Sequence, residues 1–191
     1  MTRSENATLG TGPTSADRGI VVSPHHLASR AGIEILHRGG TAIDAAIAVD
    51  AVLGVVAPDT CGPGGDLFAL VHTPGTSAPI ALNASGRAGS GLSADDLRDR
   101  GLGEIPFRSP WSITVPGCVD GWEALVGRFG RLPLATSLAP AIALATDGFP
   151  VSMELAGSLV RLEPLIASQG SAGPLYPDDE PPPEGTMITR P

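Results

Sequence analysis

At 191 residues the chain has the length of one ordinary domain or of a piece of a larger one, and 42% hydrophobic with 17% charged residues excludes wholesale disorder. A net charge of −8 and the lack of a basic stripe set nucleic acid aside as the main partner. Cys61 and Cys118 give neither a disulfide framework nor a zinc spacing, so both read as reduced, buried thiols.

Residues 1–18 are polar and read as a frayed tail. They lack the apolar core of a secretory signal or anchor. The longest apolar run, between Asp50 and Pro58, falls far short of the roughly 20 residues that span a bilayer. No membrane partner is implied, and the placement read from this is cytoplasmic. Ile20–Val22 reads as a short strand, and Pro24 opens a helix carrying Leu27, Ala28, Ala31, Ile35 and Leu36 on one side, closed by Gly39-Gly40. His25, His26 and His37 have no acidic or thiol partner at ligand spacing, and adjacent His25 and His26 are expected to point in different directions. No metal or other cofactor is implied.

Thr41–Asp66 organises the chain. Thr41 is an N-cap with Asp44 three residues on, a short-chain capping box that suits the positive helix end. Between Ala42 and Val56 the only charges are Asp44 and Asp50, so the helix is expected to be buried nearly all round. Pro58 disfavours helical geometry at Ala57 and ends it. Gly62, Gly64 and Gly65 follow in Cys61–Asp66. A phosphate cradle needs a strand before the glycines and a helix after them, the reverse of the order here. Spacing favours a tight structural turn from helix to strand, with positive φ or close packing where no Cβ fits.

Leu67–Thr73 and Ile80–Asn83 flank a loop and read as a hairpin. Ser93 caps a short helix through Leu97; Gly101–Pro110 is a loop and Trp111–Val115 a strand candidate stopped by Pro116. Gly117–Phe129 reads as an amphipathic helix with Val119, Trp122, Leu125, Val126 and Phe129 on one stripe, Trp122 being core. Helices over about Thr136–Asp147 and Val151–Ala167 come next. Residues 174–191, rich in proline and acid, read as a connector that makes no core, leaving 19–173 as the folded segment. Strands set among long helices predict a layered α+β or αββα arrangement, helix-rich with a small sheet and hairpin.

Several ordered stretches carry a resemblance. Val21–Phe68, VVSPHHLASRAGIEILHRGGTAIDAAIAVDAVLGVVAPDTCGPGGDLF, is followed by Ser112–Gly121 (SITVPGCVDG), by Phe129–Pro133 (FGRLP), and by Leu138–Ala145 running to Gly148-Phe149. Together they resemble the gamma-glutamyltransferase family of N-terminal-nucleophile hydrolases, in the first part of its large subunit. The resemblance implies the N-terminal part of an αββα fold. It also implies acyl transfer from a small-molecule amide such as glutathione, through a threonine hydroxyl activated by its own α-amine. That threonine starts a small subunit in the family, and nothing here matches it. The chain is therefore expected to hold no catalytic residue, to need the missing C-terminal portion or small subunit as its partner, and to be inactive alone. The alternative is a truncated or vestigial product acting only as a structural or partner-binding chain.

What this part of the family contributes is donor recognition. Its hairpin ends in a motif similar to "D-x-R-E-x-A-P", whose arginine pairs with a substrate carboxylate. Asn83-Ala84-Ser85-Gly86-Arg87-Ala88-Gly89 stands at that place, with Asn83 for the aspartate, Ser85 for the arginine and Gly86 for the glutamate. Arg87 lies two residues beyond Ser85, on the same face if the strand persists. Asn83, Ser85 and Arg87 are the candidate substrate-binding residues. Two roles for Arg87 stay open, taking over the carboxylate or bracing its loop through backbone carbonyls.

Overall fold

The computed structural model describes Ala16 and residues 19–106, 109–167 and 169–190. Apart from Ala16, the expected N-terminal tail through residue 18 lies outside the described residues. Two helices, α1 (His26–His37) and α2 (Ala42–Val56), form an antiparallel pair, and a strand β1 (Leu67–Val71) pairs with β2 (Ile80–Ala84). A short helix α3 (Ala94–Asp99), three longer ones, α4 (Cys118–Phe129), α5 (Leu134–Asp147) and α6 (Met153–Ile166), and two-residue strands β3 (Phe149–Pro150) and β4 (Met187–Ile188) complete the order.

The capping box at Thr41 is present: the Thr41 side chain accepts the Asp44 amide while the Asp44 carboxylate accepts the Thr41 amide at 2.7 Å. Asp44 is wholly buried and also takes the Arg131 amide at 3.0 Å, tying the start of α2 to the α4–α5 turn. A buried carboxylate is tolerated there because several N–H donors and the helix end share its charge. Alanines dominate the α1–α2 contact, with Ala28, Ala31, Ala45, Ala48 and Ala51 buried, which brings the two backbones close. Ile47, Val52 and Val56 continue the core toward Trp122 and Leu125 of α4, Ala141 of α5 and Leu155 and Leu159 of α6.

Burial nearly all round α2 is not what forms. Ala42 and Ala46 are exposed, and with Val49 and Leu53 they floor a groove of about 600 Å³ walled by Val21, Val22 and Leu36. Asp50 gives this side a polar edge. The hairpin is as expected, antiparallel with Leu67 opposite Ala84 and Val71 opposite Ile80. Alternation turns Leu67, Ala69 and Val71 inward, while Phe68 and Leu70 face out, 67% and 76% exposed.

The two other expected strands do not form. Residues 20–22 form no ladder, with Val22 86% exposed, and Trp111–Val115 divides into a 3₁₀ turn (Pro110–Ser112) and a segment outside any strand. Both have strand-like composition, but a strand also needs a paired neighbour. In α4 the buried stripe is Cys118, Gly121, Trp122 and Leu125, and Val119 is exposed instead of joining it.

Residues beyond 174 depart most from expectation. Tyr176 is buried and donates its hydroxyl to the Leu159 carbonyl at 2.9 Å; Ile188 is buried, and β4 pairs with β3. Val151 and Thr186 extend that pairing at 2.9 Å. Arg190 reaches the carbonyls of Gly54 and Val55 at 3.0 and 3.2 Å, capping the C-terminal end of α2. Proline-rich composition does not prevent packing here, because tyrosine and isoleucine supply the apolar area and short 3₁₀ turns carry the chain between them.

Candidate functional site

The candidate site is the end of the hairpin, where four segments meet backbone to backbone. Past β2 the chain runs on through Ser85-Gly86, and the Arg87 carbonyl accepts the Val115 amide at 2.9 Å. The Gly65 carbonyl, in the turn after α2, accepts the amides of Gly117 and Cys118 at 3.1 and 3.0 Å, so two orphan donors of α4 are satisfied by that turn. Contact is so close that a Cβ at Gly86 would fall within the Val115 carbonyl, and one at Gly117 within the Ala84 carbonyl. These two glycines bring the segments together.

Gly62, Gly64 and Gly65 behave differently from expectation. They form the turn between α2 and β1, closed by the Gly65 amide on the Gly62 carbonyl at 3.0 Å. None has positive φ, and at Gly62 and Gly64 an added Cβ would meet open space. A high density of glycine marked the turn, while the steric need lies at Gly86 and Gly117.

Asn83 sits in β2 opposite Phe68, and its Oδ1 accepts the Ser85 amide at 2.9 Å. Ser85 and Arg87 are exposed. The strand ends at Ala84, so the alternation that was to place both on one face does not continue as regular strand. Among the described residues no hydrogen bond leaves the Arg87 guanidinium, and the loop is braced through its main chain instead. Asp66 was not singled out from sequence, yet its Oδ1 accepts the Gly86 amide at 2.9 Å and lies 3.4 Å from the Thr114 hydroxyl. A carboxylate directly after a glycine turn was the one available signal.

A second polar centre lies beside the loop. Asp50 of α2 accepts the Trp122 indole N–H at 2.8 Å and faces the Cys118 sulfur at 3.7 Å. A groove of about 270 Å³ runs between Asp50, Asp66, Leu67 and Phe68 with Trp122 at its base. Burial, followed by the Asp50 charge, pushes the Cys118 thiol up to about 12. Cys61 is raised too, by burial first and despite a hydrogen bond with Thr60. Both thiols are held protonated, the opposite of what a nucleophile requires.

His25 is the N-cap of α1, its Nδ1 accepting the Leu27 amide at 3.2 Å. The His25 and His26 rings stack with centroids 4.8 Å apart, where divergence was expected, because His25 precedes the first helical residue. Burial and then the neighbouring His26 lower the His25 pKa, with Glu154 opposing. Ser23 bonds to Ser29 and to the His25 carbonyl. Among the described residues no three His, Cys, Asp or Glu side chains converge as metal ligands.

Comparison with known proteins places this arrangement. The family model described as Gamma-glutamyltranspeptidase matches residues 28–191. A Bacillus subtilis protein named glutathione hydrolase-like YwrD proenzyme is 47% identical over 150 residues, 78% of this chain and 28% of that protein. The oxamate amidohydrolase proenzyme of Klebsiella pneumoniae is 41% identical over 180 residues, 91% of this chain and 34% of its own length. The crystal structure of Helicobacter pylori gamma-glutamyltranspeptidase superposes with a TM-score of 0.85 at 27% identity, covering 94% of this chain and 52% of that one. The chain thus spans about a third of the length of the curated relatives it matches.

Proposed function

The chain belongs to the gamma-glutamyltranspeptidase family and has the α+β fold of the N-terminal part of its N-terminal-nucleophile hydrolases, and on that premise we propose that it is the donor-recognition part of an amide-cleaving enzyme. The enzyme hydrolyses or transfers gamma-glutamyl or related acyl groups. A threonine outside these residues supplies the nucleophile: its hydroxyl, deprotonated by its own α-amine, attacks the amide carbonyl and the C–N bond breaks as the leaving amine takes the proton. Water or an acceptor amine then releases the acyl group from the ester. The partner is the portion carrying that threonine, and the outward Phe68 and Leu70 and the open side of α2 are the apolar faces it covers.

The observation that carries the reading is the braced loop at 83–87, in which the Ser85 amide and the Arg87 carbonyl are bonded while, among the described residues, the Ser85 hydroxyl and the Arg87 guanidinium are not. Arg87 takes the donor carboxylate in place of an arginine at 85. Gly86 has no room for the family's glutamate, so the site is not built for strict gamma-glutamyl selection. Other carboxylate-bearing amides fit it, in line with the name of the amidohydrolase relative. Among the described residues no helix is long and apolar enough to cross a membrane.

The test is co-expression of this chain with the C-terminal remainder of the Bacillus subtilis relative. Turnover of a gamma-glutamyl anilide is expected from the assembly and not from the chain alone. Arg87→Ala should lower kcat/KM for that donor, relative to a matched donor lacking the α-carboxylate, by about fivefold, the ~1 kcal/mol of a solvent-exposed charge pair. Turnover by the isolated chain defeats the reading; an unchanged ratio removes Arg87 from the site.

A further inference from the structure

We propose that Asp66 is the positioning residue of the donor loop, holding Gly86 between Ser85 and Arg87; this rests on the reading above that the loop meets the acyl donor. The need for such a residue follows from Gly86. Glycine has the widest backbone freedom of any residue and no side chain to hold its own conformation. No other residue fits at 86, because the Val115 carbonyl fills the space a Cβ would take. The segment is therefore held from outside, and the acceptor that reaches the Gly86 amide is Asp66 Oδ1 at 2.9 Å. The same oxygen lies 3.4 Å from the Thr114 hydroxyl, so one carboxylate joins Gly86 to the segment whose Val115 amide secures the Arg87 carbonyl.

The Ser85 amide is already occupied by Asn83 and the Gly86 amide by Asp66. Among the described residues, the side-chain donors this leaves from Ser85 to Arg87 are the Ser85 hydroxyl and the Arg87 guanidinium. Asp66 itself contacts neither side chain. It acts on the donor through Gly86, and its position next to Gly65 couples the loop to the turn that closes the start of α4.

Two variants separate this from a general structural role. Asp66→Asn keeps an oxygen acceptor for the Gly86 amide, and Asp66→Ala removes it. In the 191-residue chain labelled with ¹⁵N-glycine, hydrogen exchange of the Gly86 amide should rise about tenfold in Asp66→Ala and stay within about twofold of wild type in Asp66→Asn. In the assembled enzyme, Asp66→Ala should raise KM about threefold for the carboxylate-bearing donor with little change in kcat, and Asp66→Asn should restore it. Equal Gly86 exchange in wild type and Asp66→Ala overturns the proposal, as does a released Gly86 with an unchanged KM. An assembly without turnover in the wild type counts against the functional reading alone, and the exchange comparison then decides whether Asp66 holds Gly86.

Discussion

Helix α2 and the β1–β2 hairpin are both apolar along their length, yet they end in different environments. One side of α2 meets α1, α4 and α5, and Ile47, Val52 and Val56 are almost wholly enclosed there. The hairpin encloses only its inner row, leaving Phe68 and Leu70 in solvent. The open side of α2, with Ala42 and Ala46, resembles the outer hairpin face more than it resembles its own buried side. Apolar sequence therefore does not by itself fix burial, and the described residues cover only part of the apolar surface.

The strongest test of this contrast lies within α2. Val52→Asp buries an unpaired carboxylate at a position with 0% exposure and should cost several kcal/mol, comparable with the roughly 5–15 kcal/mol of a whole domain. Ala46→Asp, on the open side, should leave the far-ultraviolet circular dichroism of the chain unchanged. Loss of fold in both variants would show α2 enclosed all round.

Where the core meets the loop at 83–87, pH is the probe. The Cys118 pKa is raised from 9.0 to about 12, so the folded state holds this proton more tightly than the unfolded chain does. Its contribution to stability is complete below about pH 9 and is lost as pH climbs toward about 12. Tyr176, raised by burial and then by Glu163, adds a loss of the same sign. Melting temperature should fall over this range, less steeply in Cys118→Ala, and Cys61 should react with a thiol reagent before Cys118.

A smaller effect is expected from Tyr176→Phe, which removes the hydroxyl bound to the Leu159 carbonyl and should cost about 1 kcal/mol by chemical denaturation. No change would mean that the bond to the Leu159 carbonyl adds nothing to stability. The smallest effect belongs to the outer hairpin. Phe68→Ser with Leu70→Ser should shift the stability of the isolated chain by no more than about 0.5 kcal/mol each, while reducing self-association in sedimentation. A large loss of stability would place that face inside the core.

Features readable from sequence were those encoded locally. The Thr41–Asp44 capping box, the Ser93 cap and the stop at Pro58 each depend on residues within one turn, and each appears in the structure. Residues 20–22 and 111–115 have strand composition, but pairing depends on segments their own sequence does not specify. The loop at 83–87 was located by motif, whereas its bracing was not legible. Gly86 meets Val115, and Asp66 meets Gly86 and Thr114, across separations of 20 residues and more. Neither contact leaves a periodic or spacing signal. In residues 174–190 composition suggested a solvated connector, and Tyr176 and Ile188 were too few to register as a core pattern.

Arg190 adds a consequence for the order in which the molecule is made. The last turn of α2 leaves its carbonyls at Gly54 and Val55 waiting for a guanidinium 136 and 135 residues farther on. At translation rates of about 5–20 residues per second, that interval lasts on the order of ten seconds. During synthesis the helix pair emerges first and can dock through its alanines, but the end of α2 stays frayed until the ribosome has nearly finished this stretch. Closing so long a loop late makes Arg190 a latch on a structure already formed, and its loss should speed unfolding more than it slows folding.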